Sequence, residues 1–305
     1  MKSNLELLTK LLPIYLVFGI GYFSKRKGIL TSEDANTIFR LTFHLAAPSL
    51  IIVSLAKTVI DASLLLIPLI ALLVALATYF IALGVSQLLT LTQSTKGTFL
   101  IAAVIMNTSF MYPFILAVYE TKGFSQAIMF DLGNALVIFT FAYYIACKHG
   151  NERLNRRQML AKLVANPPLW GITIGCVLSY TNATLPSPLQ TSLEMIGSLT
   201  IPLLLLSLGV VFEPRITRPK ILFSALTCRI AVGGLAGLLI SKIFGISEIS
   251  TKVAILCAAA PAGYNTLMFS SLVGLDTELA SSIVSISLLA AIAYVPFLIW
   301  LLGGL

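Results

Sequence analysis

The stretch CAAAPAGYNTLMFSSLVG, Cys257 to Gly274, is apolar enough to lie in hydrocarbon, yet it carries Pro261, Gly263 and Asn265 near its middle. A proline inside a helix removes a backbone hydrogen bond and collides with the carbonyl one turn earlier. In a bilayer no water replaces that bond, so the freed groups have to be buried in protein or line a wet cavity. A helix interrupted at this depth is destabilised, and the interruption asks for a functional reason.

The rest of the chain places the stretch in a membrane. Of 305 residues 58% are hydrophobic and 10% charged, and the mean hydropathy is +0.97. A soluble domain needs about a quarter of its residues charged to cover its surface, so that class is excluded. Apolar runs long enough to cross about 30 Å of hydrocarbon recur throughout. They fall at roughly 8–24, 36–56, 64–89, 97–119, 126–147, 167–182, 189–211, 221–244, 251–274 and 279–302, which predicts ten transmembrane helices. The N-terminal MKSNLELLTK runs into the first of them without a small-residue cleavage site, so it reads as a span rather than a signal peptide. The connections are too short to hold a soluble catalytic or nucleic-acid-binding domain.

Net charge is +8, and its distribution argues for topology rather than for a polyanion partner. Counted over alternate loops, 13 Lys and Arg residues lie on one side, including Arg153, Arg156 and Arg157, against six on the other, with Arg229 inside a span. Basic loops stay in the cytoplasm. The expected protein is multi-pass in the plasma (inner) membrane, with both termini outside and no nucleic acid bound. Cys147, Cys176, Cys228 and Cys257 lack metal-ligand spacing and read as small buried hydrophobes.

The prolines hide a repeat. Pro13 and Gly21 in the first span recur 154 residues later as Pro167 and Gly175, and Pro48 recurs at the same offset as Pro202. The fourth and ninth spans carry Pro113 and Pro261, 148 residues apart. Markers in corresponding spans point to two copies of one unit. Five spans per copy is an odd number, so the copies run through the membrane in opposite senses. The expected division is 1–147 for the first five-helix repeat, 148–165 for a cytoplasmic linker and 166–305 for the second, inverted repeat. Paired interrupted helices in such repeats mark a substrate site. Freed amides at one half-helix start attract anions, and freed carbonyls at another's end attract cations. Asn107, in NTSFMYPFILAVYE, and Asn265, in PAGYNTLMF, supply amides that donate and accept.

With those residues in view, the chain resembles the auxin efflux carrier family, which includes plant PIN-type carriers and bacterial permeases. The matching stretches are HLAAPSLIIVSLA, NPPLWGITIG, IGSLTIPLLLLSLG and GLDTELASSIVSISLL, together with the proline-bearing spans four and nine. The resemblance covers essentially the whole chain. It implies an all-α fold of ten transmembrane helices in two inverted five-helix repeats, like the bile acid symporter fold, with helices 4 and 9 broken and crossing. It further implies a scaffold of spans 1, 2, 6 and 7, a mobile unit of spans 3–5 and 8–10, an elevator-like movement, and a homodimer through the scaffold. The long cytoplasmic loop of many plant members is absent.

The candidate substrate-binding residues are Asn107, Tyr112, Pro113, Pro261, Tyr264 and Asn265. An ionisable group at membrane depth is a functional candidate by default. Asp131, with Asn134 one turn on, is the candidate coupling residue for a proton or sodium ion; the bland alternative is a span-end carboxylate facing water. Arg229 either neutralises a substrate carboxylate, pairs with Asp131 or snorkels to the interface, with a structural role preferred. His44 reads as a buried, hydrogen-bonded histidine on the scaffold and Glu194 as an interfacial carboxylate. The expected activity is secondary active transport of a small organic anion, driven by a proton or sodium gradient, without a cofactor. No GxxxxGK[ST] stretch provides for ATP. A passive channel or an intramembrane enzyme is the alternative.

Overall fold

The computed structural model describes residues 2–151, 157, 160, 161, 164–212 and 214–303, with side chains from residue 9 onward. Half of the expected linker 148–165 lies outside the described residues. The described chain is helical: α1 (Lys2–Arg26), α2 (Ser32–Ala56), α3 (Ala62–Gln87), α4 (Gln93–Val104), α5 (Thr108–His149), α6 (Pro167–Thr181), α7 (Ser187–Val211), α8 (Pro219–Phe244), α9 (Glu248–Ala258), α10 (Asn265–Val273) and α11 (Thr277–Leu301). Among the described residues the sole β-type pairing is one antiparallel bridge, Met106 with Ala262.

Local chemistry sets the helix ends. Thr31, Asp61, Thr92, Ser247 and Asp276 each accept a hydrogen bond from a first-turn amide, and Thr31 forms a full capping box with Asp34. Each cap satisfies a donor that the helix itself leaves open. Gly245 and Gly274 close α8 and α10 in the left-handed region, where glycine has no Cβ to strain.

Six helices, α2, α3, α5, α7, α8 and α11, are each long and apolar enough to cross a membrane. The other expected spans are α1, the 15-residue α6 and the two interrupted segments, whose pieces are too short to cross alone. Outward stripes fit a hydrocarbon solvent: Leu12, Leu16, Ile20 and Phe23 on α1, and Leu235, Leu239 and Ile243 on α8, are all exposed. These recur at helical spacing on the face that a soluble protein would make polar. The chain is a polytopic, all-helical membrane protein.

Packing sorts the helices into two groups. α1, α2, α6 and α7 pack chiefly on one another, and α3–α5 pack chiefly with α8–α11. In the first group α1 lies on α7 through Gly21 and Gly209, where any Cβ would overlap the facing backbone at Leu206 and Phe18. α2 lies on α6 through Gly171 and Gly175, where a Cβ on Gly175 would sit 2.8 Å from Leu55 Cβ. Side-chain hydrogen bonds join the groups at two places: Tyr15 Oη donates to the Ile292 carbonyl at 2.8 Å, and the Thr58 and Ser125 hydroxyls meet at 2.6 Å, among the described residues.

Two expectations need correction, at Pro113 and at His44. Pro113 does not mark the break of span four. The chain parts at 105–107, and Pro113 lies buried inside α5 without interrupting it, six residues into the helix. The turn between spans four and five is a corner inside α5 at Glu120, with φ 53° and ψ −157°. His44 is exposed rather than buried; its Nδ1 lies 2.9 Å from the Arg40 carbonyl one turn back, so the hydrogen bond is local.

Candidate functional site

Two interruptions meet in the middle of the second group. One is 105–107 between α4 and α5; the other is 259–264 between α9 and α10. They pair as a short antiparallel ladder: Asn107 N–H donates to the Pro261 carbonyl at 2.9 Å and Gly263 N–H to the Ile105 carbonyl at 3.0 Å. Gly263 is required by the approach, since a Cβ there would lie 2.5 Å from Ile105 Cγ2. Each interruption therefore satisfies part of the other's open backbone, which is how irregular chain is tolerated away from water.

Neighbouring helices satisfy much of the remainder. Asn134, 1% exposed on α5, bridges Met106: its Nδ2 donates to the Met106 carbonyl at 2.9 Å, and its Oδ1 accepts from Met106 N–H at 3.4 Å. On the other strand Ala262 N–H donates to Ser287 Oγ of α11 at 3.1 Å. The two bridge residues are thus held by side chains from α5 and α11 respectively.

Arg229 of α8 completes the crossing. Its Nη1 donates to the carbonyls of Ala103 at 2.6 Å and Val104 at 3.2 Å, and its Nη2 donates to that of Ala258. It therefore joins the C-terminal ends of α4 and α9. Tyr294 Oη donates to the Ala259 carbonyl at 2.5 Å. The side chain is 0% exposed, so Arg229 does not snorkel. Its hydrogen bonds all go to backbone carbonyls, and Asp131 is not among its partners.

Asp131 lies on α5 one turn before Asn134 and is partly exposed. Three donors converge on its carboxylate: Thr108 Oγ1, Tyr112 Oη at 2.9 Å and Asn134 Nδ2 at 3.2 Å. Thr108 is the first residue of α5 beyond the break, so the acid is tied directly to the crossing. Tyr112 is 3% exposed and stacks edge-on against Phe124, with ring centroids 5.0 Å apart. It acts on the acid rather than as an open wall of a pocket.

The two asparagines stand at the starts of the outgoing half-helices. Asn107 is the N-cap of α5, its Oδ1 accepting from Phe110 N–H at 3.3 Å, and Asn265 is the first residue of α10. Both are partly exposed, and neither has a hydrogen-bonded partner for its amide Nδ2 among the described residues. Tyr264 beside Asn265 is 54% exposed, while Thr266 is fully buried with its hydroxyl unpartnered. The helix starts carry the positive end of the backbone dipole. A cleft of about 460 Å³ between α8 and α9 and one of about 280 Å³ on α2 lie away from these residues.

The structure therefore gathers Asn107, Pro261, Asn134, Asp131, Tyr112 and Arg229 around one crossing, with Tyr264 and Asn265 at its edge. Pro113 contributes no polar group. Thr108, Ser287 and Tyr294 escaped the sequence reading. Thr108 adjoins Asn107 and was legible as a cap neighbour; serine and tyrosine in apolar helices give no distinguishing signal.

The comparisons agree with a transport role. Residues 6–300 match the family described as membrane transport protein. An uncharacterized transporter of Methanocaldococcus jannaschii is 24% identical over 304 residues, covering 95% of this chain and 97% of that protein. One of Methanothermobacter thermautotrophicus is 25% identical over 291 residues, covering 93% and 95%. With the match running nearly end to end, the chain belongs to the membrane transport protein family, that of the auxin efflux carriers.

Proposed function

We propose that this transporter is a secondary active carrier of a small organic anion, auxin-like or a mono- or dicarboxylate, working by an elevator-type movement. The observation that carries the reading is the ladder between the two interruptions, from which α5 and α10 leave with their N-termini at the crossing. Two positive dipole ends and two amide side chains with free donors suit a carboxylate that has shed its water. Asp131, partly exposed and tied through Thr108 to the crossing, is the group that couples binding to a proton or sodium gradient.

The two packing groups support a division into scaffold, α1, α2, α6 and α7, and moving unit. The inverted repeat has its own support: α1 on α7 mirrors α6 on α2, and Gly21 and Gly175, 154 residues apart, each sit at a close helix contact. The proposal extends to a homodimer through the scaffold and to external termini in the plasma (inner) membrane. An impermeant thiol reagent labelling residue 151 in intact cells reverses that orientation.

The test is a thermal-shift screen of purified protein against mono- and dicarboxylates, with and without sodium, followed by uptake of the hit into proteoliposomes. Uphill accumulation under an imposed gradient is the expected outcome. Equilibration alone makes the protein a passive channel and overturns the reading.

A further inference from the structure

The C-terminal ends of α4 and α9 meet at the crossing, and the last four carbonyls of any helix lack intrahelical partners. Each end carries about half a negative charge. In broken-helix transporters such ends coordinate a coupling cation. Here the seat is already taken. The Arg229 guanidinium lies between the two ends, on Ala103 and Val104 of one and Ala258 of the other. A single positive charge against two half charges leaves the junction close to neutral.

Three features show that the seat is built for a guanidinium. Its planar fork reaches both helix ends at once, which a lysine ammonium does not. Gly233, one turn along α8, makes the room: a Cβ there would overlap Arg229 Nη2 and the Ala258 carbonyl. The side chain enters from a widened π-turn at Thr227–Val232, a local irregularity that re-aims a residue at a functional position. Arginine stays charged when buried, and this one is 0% exposed with no carboxylate among its partners in the described residues.

We propose that Arg229 is a resident cation, occupying the position an alkali cation would take at the paired half-helix ends, so that the crossing is held together without sodium. The inference refines the coupling reading above, because it leaves the proton at Asp131 as the coupling ion. Its test needs no substrate, so it succeeds or fails independently of the organic-anion assignment.

The experiment is thermal unfolding of the purified protein in sodium chloride and in choline chloride at equal ionic strength. Wild type should unfold at the same temperature in both, and a dose-dependent stabilisation by sodium overturns the proposal. Arg229→Met should lower the midpoint by on the order of 10 °C, and millimolar guanidinium or sodium should restore part of the loss. A folded Arg229→Met protein that responds to neither cation also overturns it. If that variant does not fold, Gly233→Ala decides, since it crowds the guanidinium while keeping the arginine: a lowered midpoint that sodium partly restores supports the proposal, and an unchanged midpoint, or a lowered one that sodium does not move, rejects it.

Discussion

The two interruptions at the crossing perform the same backbone task with different chemistry. At 259–264 the chain breaks over six residues, with Pro261 supplying the missing amide and Gly263 the clearance. At 105–107 it breaks over three residues with neither proline nor glycine. There the break is imposed from outside: Asn134 holds both backbone groups of Met106, and Asn107 caps the helix that follows. The surroundings diverge in the same way. Met106 pairs with Ala262, 156 residues on, and the same step carries Asp131 to Ser287, so the acid of one half is a serine of the other. Two strands paired at one bridge thus meet unlike surroundings, a carboxylate with three donors beside one and a serine hydroxyl beside the other.

The comparison breaks most readily at its closest contact. Gly263→Val should abolish ligand binding and uptake, because its side chain has to displace Ile105 from the ladder. Thermal-shift and uptake assays on membrane-inserted protein check this, and retained binding would show that the two strands do not have to touch. Pro261→Ala should reduce transport less, since the second strand keeps its glycine.

Asp131→Asn tests the asymmetry. Gradient-driven accumulation should fall at least about tenfold while substrate exchange persists, because the amide oxygen can still accept from Thr108 and Asn134 and the amide nitrogen can donate to Tyr112 Oη, but the carboxyl group is gone. Paired measurements of accumulation and exchange read this, and unchanged accumulation moves the coupling site elsewhere.

The asparagines sharpen the comparison. Each alanine substitution removes a hydrogen bond to a charged ligand worth roughly 1.5–3 kcal/mol, so affinity should weaken about tenfold to a hundredfold. Asn107→Ala also removes an N-cap and should lower stability by about 1 kcal/mol, whereas Asn265→Ala should not. Binding titrations beside unfolding curves separate the two effects. Equal stability loss in both would remove the distinction between the breaks.

The smallest effect is expected at Thr266, whose buried hydroxyl has no partner among the described residues. Thr266→Val should leave the unfolding midpoint unchanged or slightly raised, since no internal hydrogen bond is lost. A fall in ligand affinity at unchanged stability would add this hydroxyl to the site.

By itself the sequence determined the membrane class, the approximate limits of the apolar segments, the interruption around Pro261 and the asparagines beside both breaks. Those follow from local rules: hydrocarbon thickness fixes segment length, and a proline removes an amide wherever it stands. The close contacts at Gly21 and Gly175 were legible as a repeated offset, though not which helices they touch. The position of the first break was not legible, because Pro113 offered a local signal while the decisive groups lie elsewhere in the chain. Arg229 reaches Ala103 across 126 residues of sequence and Ala258 across 29, and Thr108 meets Asp131 across 23. Only the tertiary structure brought those partners together, because a buried charge or an open carbonyl settles on whatever donor or acceptor packing places beside it, and sequence spacing does not encode that neighbour.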